Sequence, residues 1–155
     1  MHKPRLQRLK WIFTDHPVYF LTACTRARGT YLAGPNIQQA FVDFARKGTE
    51  HGVLVGRYVI MPDHVHLFTA FSPHAPLLSE WMKGLKRAMS GDLKRMQIAS
   101  PFWQKGFFDH VLRSAESYEE KWLYVRENPV RAGLVSKAEE WPYQGEIHPL
   151  SVGGL

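Results

Sequence analysis

The chain alternates between stretches where apolar residues cluster or recur every second position and stretches where they return at helical spacing. Residues 17–25, PVYFLTACT, concentrate β-branched and aromatic side chains and predict a first strand. Gly34-Pro35-Asn36 opens a predicted helix with Ile37, Ala40, Phe41, Phe44 and Ala45 on one face and Gly48 near its end. Residues 53–61 and 64–71 predict two strands joined through Pro62-Asp63, a pair that suits the tight turn of a hairpin. A second helix is predicted from Pro76 to Gln97, striped by Leu78, Trp81, Met82, Leu85, Met89, Leu93 and Met96.

The segment FWQKGFFDHVLR, residues 102–113, is aromatic and punctuated by glycine, and reads as a fourth strand. Ser114 to Asn128 predicts a third helix, with Ser114 or Ser117 as N-cap, Glu116, Glu119 and Glu120 near its positive start, and Pro129 as its stop. A short helix is expected at 137–140, followed by an irregular tail over 144–155. The order β-α-β-β-α-β-α implies an α+β fold: a mainly antiparallel sheet with helices on one face and the other face open. No repeat or linker divides it, so residues 1–155 are expected to form a single domain with a basic N-terminal arm over 1–16.

Composition narrows the partners. The formal net charge is +6, which favours a polyanion over an acidic protein or a neutral metabolite. The single cysteine, Cys24, can form no internal disulfide and is expected to fill a strand. Lys3, Arg5, Arg8 and Lys10 are not followed by an apolar signal segment, and no apolar run is long enough to cross a bilayer. A soluble cytoplasmic protein is therefore expected, without a membrane partner. No phosphate-binding loop of the G-x-x-x-x-G-K-[ST] type occurs, so nothing calls for ATP.

Two constellations can carry chemistry. His64 and His66 are two apart on a predicted strand, so both imidazoles emerge on one face and can share a metal ion. Val65, Leu67 and Phe71 take the alternate positions and can face the helices, which leaves the histidines on the uncovered side. An H-x-H pattern also arises by chance among eight histidines. Tyr124 and Asn128 are four apart on the third predicted helix, so phenol and amide would project together. The bland alternative is a core tyrosine and a helix-terminating asparagine.

Together these pieces resemble a family. MPDHVHLF (residues 61–68), FWQKGFFDHVLR, YVRENPVRAGLV (124–135) and EEWPY (139–143) look like the REP-associated tyrosine transposases. These belong to the single-tyrosine branch of the HUH endonucleases, named for two histidines flanking one hydrophobic residue, here His64-Val65-His66. The resemblance implies a ferredoxin-like palm, Tyr124 as nucleophile, and magnesium or manganese held by His64, His66 and Asn128. It further implies a single-stranded DNA substrate bearing a hairpin, cut through a 5′-phosphotyrosine link, and a nucleoid-associated protein. A monomer acting in cis fits this branch better than a dimer, although related enzymes include dimers with shared sites.

Other residues compete with these. Tyr118 shares the predicted helix but not the face of Asn128; Asp63 suits the turn better than a metal; and His110 suits packing or a hydrogen bond. For DNA contact the candidates are Arg5, Arg8 and Lys10, then Lys83, Lys86, Arg87 and Lys94 opposite the apolar stripe, and Arg126 and Arg131 beside Tyr124. The helix lysines are equally readable as a solvated face. Trp11, Trp103 and Phe107 could stack bases. A non-catalytic nucleic-acid-binding sheet and a metal-dependent hydrolase, in which water attacks, remain as rivals.

Overall fold

A computed structural model describes residues 17–151. Arg5, Arg8, Lys10 and Trp11 lie outside the described residues. Strand β1 (Val18–Cys24) pairs antiparallel with β3 (His64–Phe71), and β2 (Val53–Met61) pairs antiparallel with β3 through the expected Pro62-Asp63 hairpin. Adding β4 (Phe108–Leu112) and β5 (Gln144–Glu146) gives a five-stranded antiparallel sheet in the order β4-β1-β3-β2-β5.

Helices α1 (Pro35–Lys47) and α2 (Leu78–Arg95) cover one face. Period two explains which residues of β1 and β3 they meet, Leu21 and Ala23, and Val65 and Leu67; on β2 a bulge between Val55 and Tyr58 shifts the alternation, so that Val55 and Ile60 both turn toward Phe41 of α1 and the stripe Trp81, Met82, Leu85, Met89 and Leu93 of α2. All of these side chains are buried, and each large one contributes about 1.5–3 kcal/mol by leaving water. Met96, at the foot of the predicted stripe, falls outside the core and is exposed.

The other face is not left open. Helix α3 (Ala115–Val125) lies on it, setting Tyr118 against Val18, Phe68 and Leu112, and Val125 against Val59, Met61 and Trp141. Helix α3 is only weakly amphipathic, so its sequence does not mark the sheet face it covers: Leu123 and Tyr124 are exposed while Tyr118 and Val125 are buried. The α+β class and antiparallel sheet stand, with helices on both sides.

Three local readings also change. The fourth strand is shorter than residues 102–113, because Trp103 makes only an isolated bridge to Thr25 before the chain turns at Gly106 into β4. Helix α3 ends at Val125, and Pro129 does not stop it. Proline lacks an N–H and fits the first turn of a helix, and here it opens a new short one, α4 (Asn128–Arg131). The tail is not wholly irregular: β5 hydrogen-bonds to the outer edge of β2. Beside it β2 bulges at Gly56-Arg57, where a Cβ on Gly56 would sit 2.7 Å from the Leu150 side chain and 2.8 Å from the Tyr118 hydroxyl. Among the described residues no helix is long and apolar enough to cross a membrane.

Candidate active site

His64 and His66 leave β3 on the face that carries α3, with ring centroids 4.6 Å apart. Each imidazole is held from behind. His64 Nδ1 lies 2.7 Å from Asp63 Oδ1, and the other Asp63 oxygen accepts from Arg28 Nε at 2.9 Å. A carboxylate only accepts, so the hydrogen resides on His64 Nδ1 and the Nε2 lone pair is left available. His66 Nδ1 lies 2.8 Å from Thr22 Oγ1 across the β1–β3 pair, and Phe20 stacks on its ring at 5.1 Å.

The electrostatics keep both rings neutral. Burial pushes His66 down to about 3, assisted by His64, Lys121, Arg131 and Arg28, and burial also lowers His64 against the opposing pull of Asp63. Burial would raise the Asp63 carboxyl, but hydrogen bonds from His64 and Arg28, together with their charges, outweigh it and hold it below its ordinary value. Asp63 thus orients a histidine, a role the turn reading had missed. Thr22, Phe20 and Arg28 were missed as well.

The donor chemistry fits a divalent cation: two neutral imidazoles whose Nδ1 atoms are already engaged on protein oxygens. Among the described residues no third His, Cys, Asp or Glu joins them in a metal-holding group, and a neutral side-chain oxygen is a donor that suits the same cation.

Tyr124 stands on the last turn of α3, 64% exposed. It borders a shallow groove of about 300 Å³ with His110, Leu112, Ser117, Glu120 and Lys121. Lys121 joins the two halves: its Nζ is 5.2 Å from the centroid of Phe20, the ring that stacks on His66. His110 faces Phe20 across β4 and β1, so it lies at the groove rather than in packing. Asn128 is on α4, so Tyr124 and Asn128 do not share a continuous helix face as the spacing predicts. They are joined instead through Arg131. Its guanidinium stacks on the Tyr124 ring at 4.0 Å, and its Nη2 donates to the Tyr124 carbonyl at 2.8 Å and to Asn128 Oδ1.

Tyr118 is a different kind of tyrosine. It is buried on Phe68 under the Arg57 guanidinium, its hydroxyl has no hydrogen-bond partner, and burial raises its phenol to about 12. A nucleophile needs access and a stabilised anion; Tyr118 has neither.

The candidate DNA-contacting residues do not form one surface. Lys83, Lys86, Arg87 and Lys94 lie on α2, on the far side of the sheet from the histidines. Arg87 and Lys94 are exposed, Lys83 pairs with Glu80 at 3.5 Å, and Lys86 is turned into the Gln104 and Gly106 carbonyls, where it fixes the loop before β4. Arg126 lies between Glu127 and Glu139, both at 4.0 Å. Trp103 donates to Ser90 Oγ and packs against the α1–α2 core.

Known proteins share this arrangement of sequence and fold. A Haemophilus influenzae protein assigned to the REP-associated tyrosine transposases is 28% identical over 112 residues, and the REP-associated tyrosine transposase of Escherichia coli is 23% identical over 126 residues. Those matches cover 61% and 81% of this chain, and 64% and 73% of the relatives, so the chain spans just under two thirds of the first. A solved structure of a REP-associated tyrosine transposase bound to a REP hairpin has the same fold, with TM-score 0.69, 19% identity, and coverage of 90% of this chain and 92% of that one. The profile of the IS200-like transposases matches residues 15–128, a stretch that runs from β1 through both histidines and Tyr124 to Asn128; the chain belongs to the IS200-like transposase family.

Proposed function

We propose that this protein cuts and rejoins single-stranded DNA next to a hairpin, with Tyr124 as nucleophile and His64, His66 and Asn128 as ligands of a magnesium or manganese ion. The observation that carries this reading is that α3, which bears Tyr124, lies on the sheet face from which both histidines project, with Lys121 and Phe20 between them. Relatives named as REP-associated tyrosine transposases support the substrate class.

A tyrosine hydroxyl, with an ordinary pKa near ~10, is a weak nucleophile at neutral pH. When bound, the cation supplies positive charge that polarises the scissile phosphate and favours the phenolate. The chain's own residues do the rest. Asp63 and Thr22 fix the imidazoles with their Nε2 atoms outward, and Lys121 offers a charge to a phosphate oxygen beside Tyr124. The Tyr124 oxygen attacks phosphorus, its proton passes to water, and the P–O3′ bond breaks as the 3′ oxygen takes up a proton. A 5′-phosphotyrosine link and a free 3′-hydroxyl result. Attack by a second 3′-hydroxyl reverses these changes and releases Tyr124, so joining needs no ATP.

The test is to incubate the full chain with hairpin-bearing single-stranded oligonucleotides and manganese or magnesium, then look for a denaturation-resistant protein–DNA adduct. The expected adduct is abolished in Tyr124→Phe and kept in Tyr118→Phe. Cleavage that persists in Tyr124→Phe would identify a hydrolase, and binding without cleavage across the substrate panel would identify a binding module. Light scattering of the protein–oligonucleotide complex is expected to give one chain per site.

A further inference from the structure

Arg131 makes three contacts within the candidate site: it covers one face of the Tyr124 ring, donates to the Tyr124 carbonyl, and donates to the side-chain oxygen of Asn128. We propose that Arg131 is a positioning residue that holds Tyr124 and Asn128 in the DNA-free protein and gives up Asn128 when a phosphate of the bound strand takes its guanidinium. The proposal rests on the reading of Tyr124, His64, His66 and Asn128 given above.

The contacts argue for exchange. Both present oxygen partners of the guanidinium are neutral, a backbone carbonyl and a carboxamide, and Arg131 is exposed to solvent. A phosphate offers paired anionic oxygens that match the planar fork of arginine, and such charge-assisted bonds are roughly twice as strong as neutral ones. The incoming strand therefore outcompetes Asn128 for Arg131. The surroundings favour the same order of events. Lys121 and Arg131 bear on His66 with positive charge, and so does Arg28, which is paired with Asp63, the one carboxylate among the described residues that contacts either histidine. A dication entering before DNA meets uncompensated positive charge and an Asn128 oxygen already engaged. The phosphate relieves both at once: it neutralises the guanidinium and frees the amide.

The consequence is coupling between cation and DNA, and coupling is reciprocal: whatever factor DNA adds to cation affinity, the cation adds to DNA affinity. In a protein where Arg131 served only as a backbone contact, its removal would weaken DNA binding and leave cation affinity in the free protein unchanged.

The test measures manganese binding by titration calorimetry in the Tyr124→Phe background, which keeps the ring under Arg131 but cannot form an adduct. A hairpin-bearing single-stranded oligonucleotide is expected to tighten manganese binding at least about 10-fold, the scale on which groups that orient metal ligands act. Adding Arg131→Gln is expected to tighten manganese binding several-fold without DNA and to shrink the enhancement by DNA. Asn128→Ala should cancel the gain from Arg131→Gln, as a double-mutant cycle requires of coupled residues. Manganese binding that depends on His64 and His66 but ignores Arg131→Gln would overturn this proposal and leave the active-site reading intact. Binding that ignores His64→Ala and His66→Ala as well would overturn the active-site reading, and the proposal with it.

Discussion

His66 ties the proposed metal site to the stability of the fold. In the folded chain burial holds it near 3, whereas the unfolded chain titrates at the ordinary value of 6.5. Between those values the unfolded state binds the extra proton, so stability is fully present above 6.5 and is lost as pH falls through the window. Melting temperature is expected to drop from pH 7 to pH 4, and His66→Gln should flatten the slope; equal slopes in the two proteins would contradict the assignment. At the neighbouring position, Asp63→Ala removes the acceptor that fixes the hydrogen on His64 Nδ1. Adduct formation at saturating oligonucleotide should fall about 10- to 100-fold with little change in DNA binding, the usual cost of losing a partner that orients a metal ligand.

These residues also mark where the sequence became silent. That His64 and His66 share a face followed from alternation along a single strand. That Thr22 meets His66 depends on the pairing register of β1 with β3, between residues 44 apart, and no local pattern encodes that register. Asp63 was visible beside the histidines, but its turn position is a property of its backbone, and the grip of its side chain on His64 and Arg28 needs three dimensions to see.

Among the elements, α3 decides where the tyrosine stands. Ser114 Oγ accepts from the Ser117 N–H at 3.1 Å and caps the helix, as the serine-rich start predicts. Ser114→Ala should cost about 1 kcal/mol in chemical denaturation, typical of a lost N-cap. Tyr118→Phe should be neutral or stabilising, because it removes a buried hydroxyl without a partner while keeping the ring on Phe68. A loss above about 1 kcal/mol would show that the hydroxyl is satisfied in solution. The end of α3 was the harder part to foresee. Asn128-Pro129 carries signals for stopping a helix and for starting one, and the choice fell to starting because Val125 is needed under Trp141 while Arg131 returns to Tyr124.

Across the whole molecule, the sheet separates two sets of charge. Arg87 and Lys94 lie on the α2 side, and Lys121 and Arg131 on the histidine side. If DNA wraps from one side to the other, Arg87→Gln with Lys94→Gln should weaken oligonucleotide binding equally for all sequences and lower its salt dependence, leaving the adduct rate at saturation unchanged. The strand order was less legible than the strand content, since β5 joins the sheet with only three residues and no alternating pattern. Its work is to close the outer edge of β2. A chain ending at Tyr143 should expose that edge, and size-exclusion chromatography should then show more self-association than the full chain does.

Tyr124 stands out in water at the rim of a shallow groove rather than inside a cage. On the proposed chemistry, a strand attached there is not sealed away from others. The choice of joining partner then passes from the protein to the DNA: the 3′ end that stays near, tethered by its own hairpin, has a local concentration far above any free end and rejoins first. A surface-mounted nucleophile makes the geometry of the substrate, more than the shape of the enzyme, the arbiter of whether a cut is resealed or a strand moves.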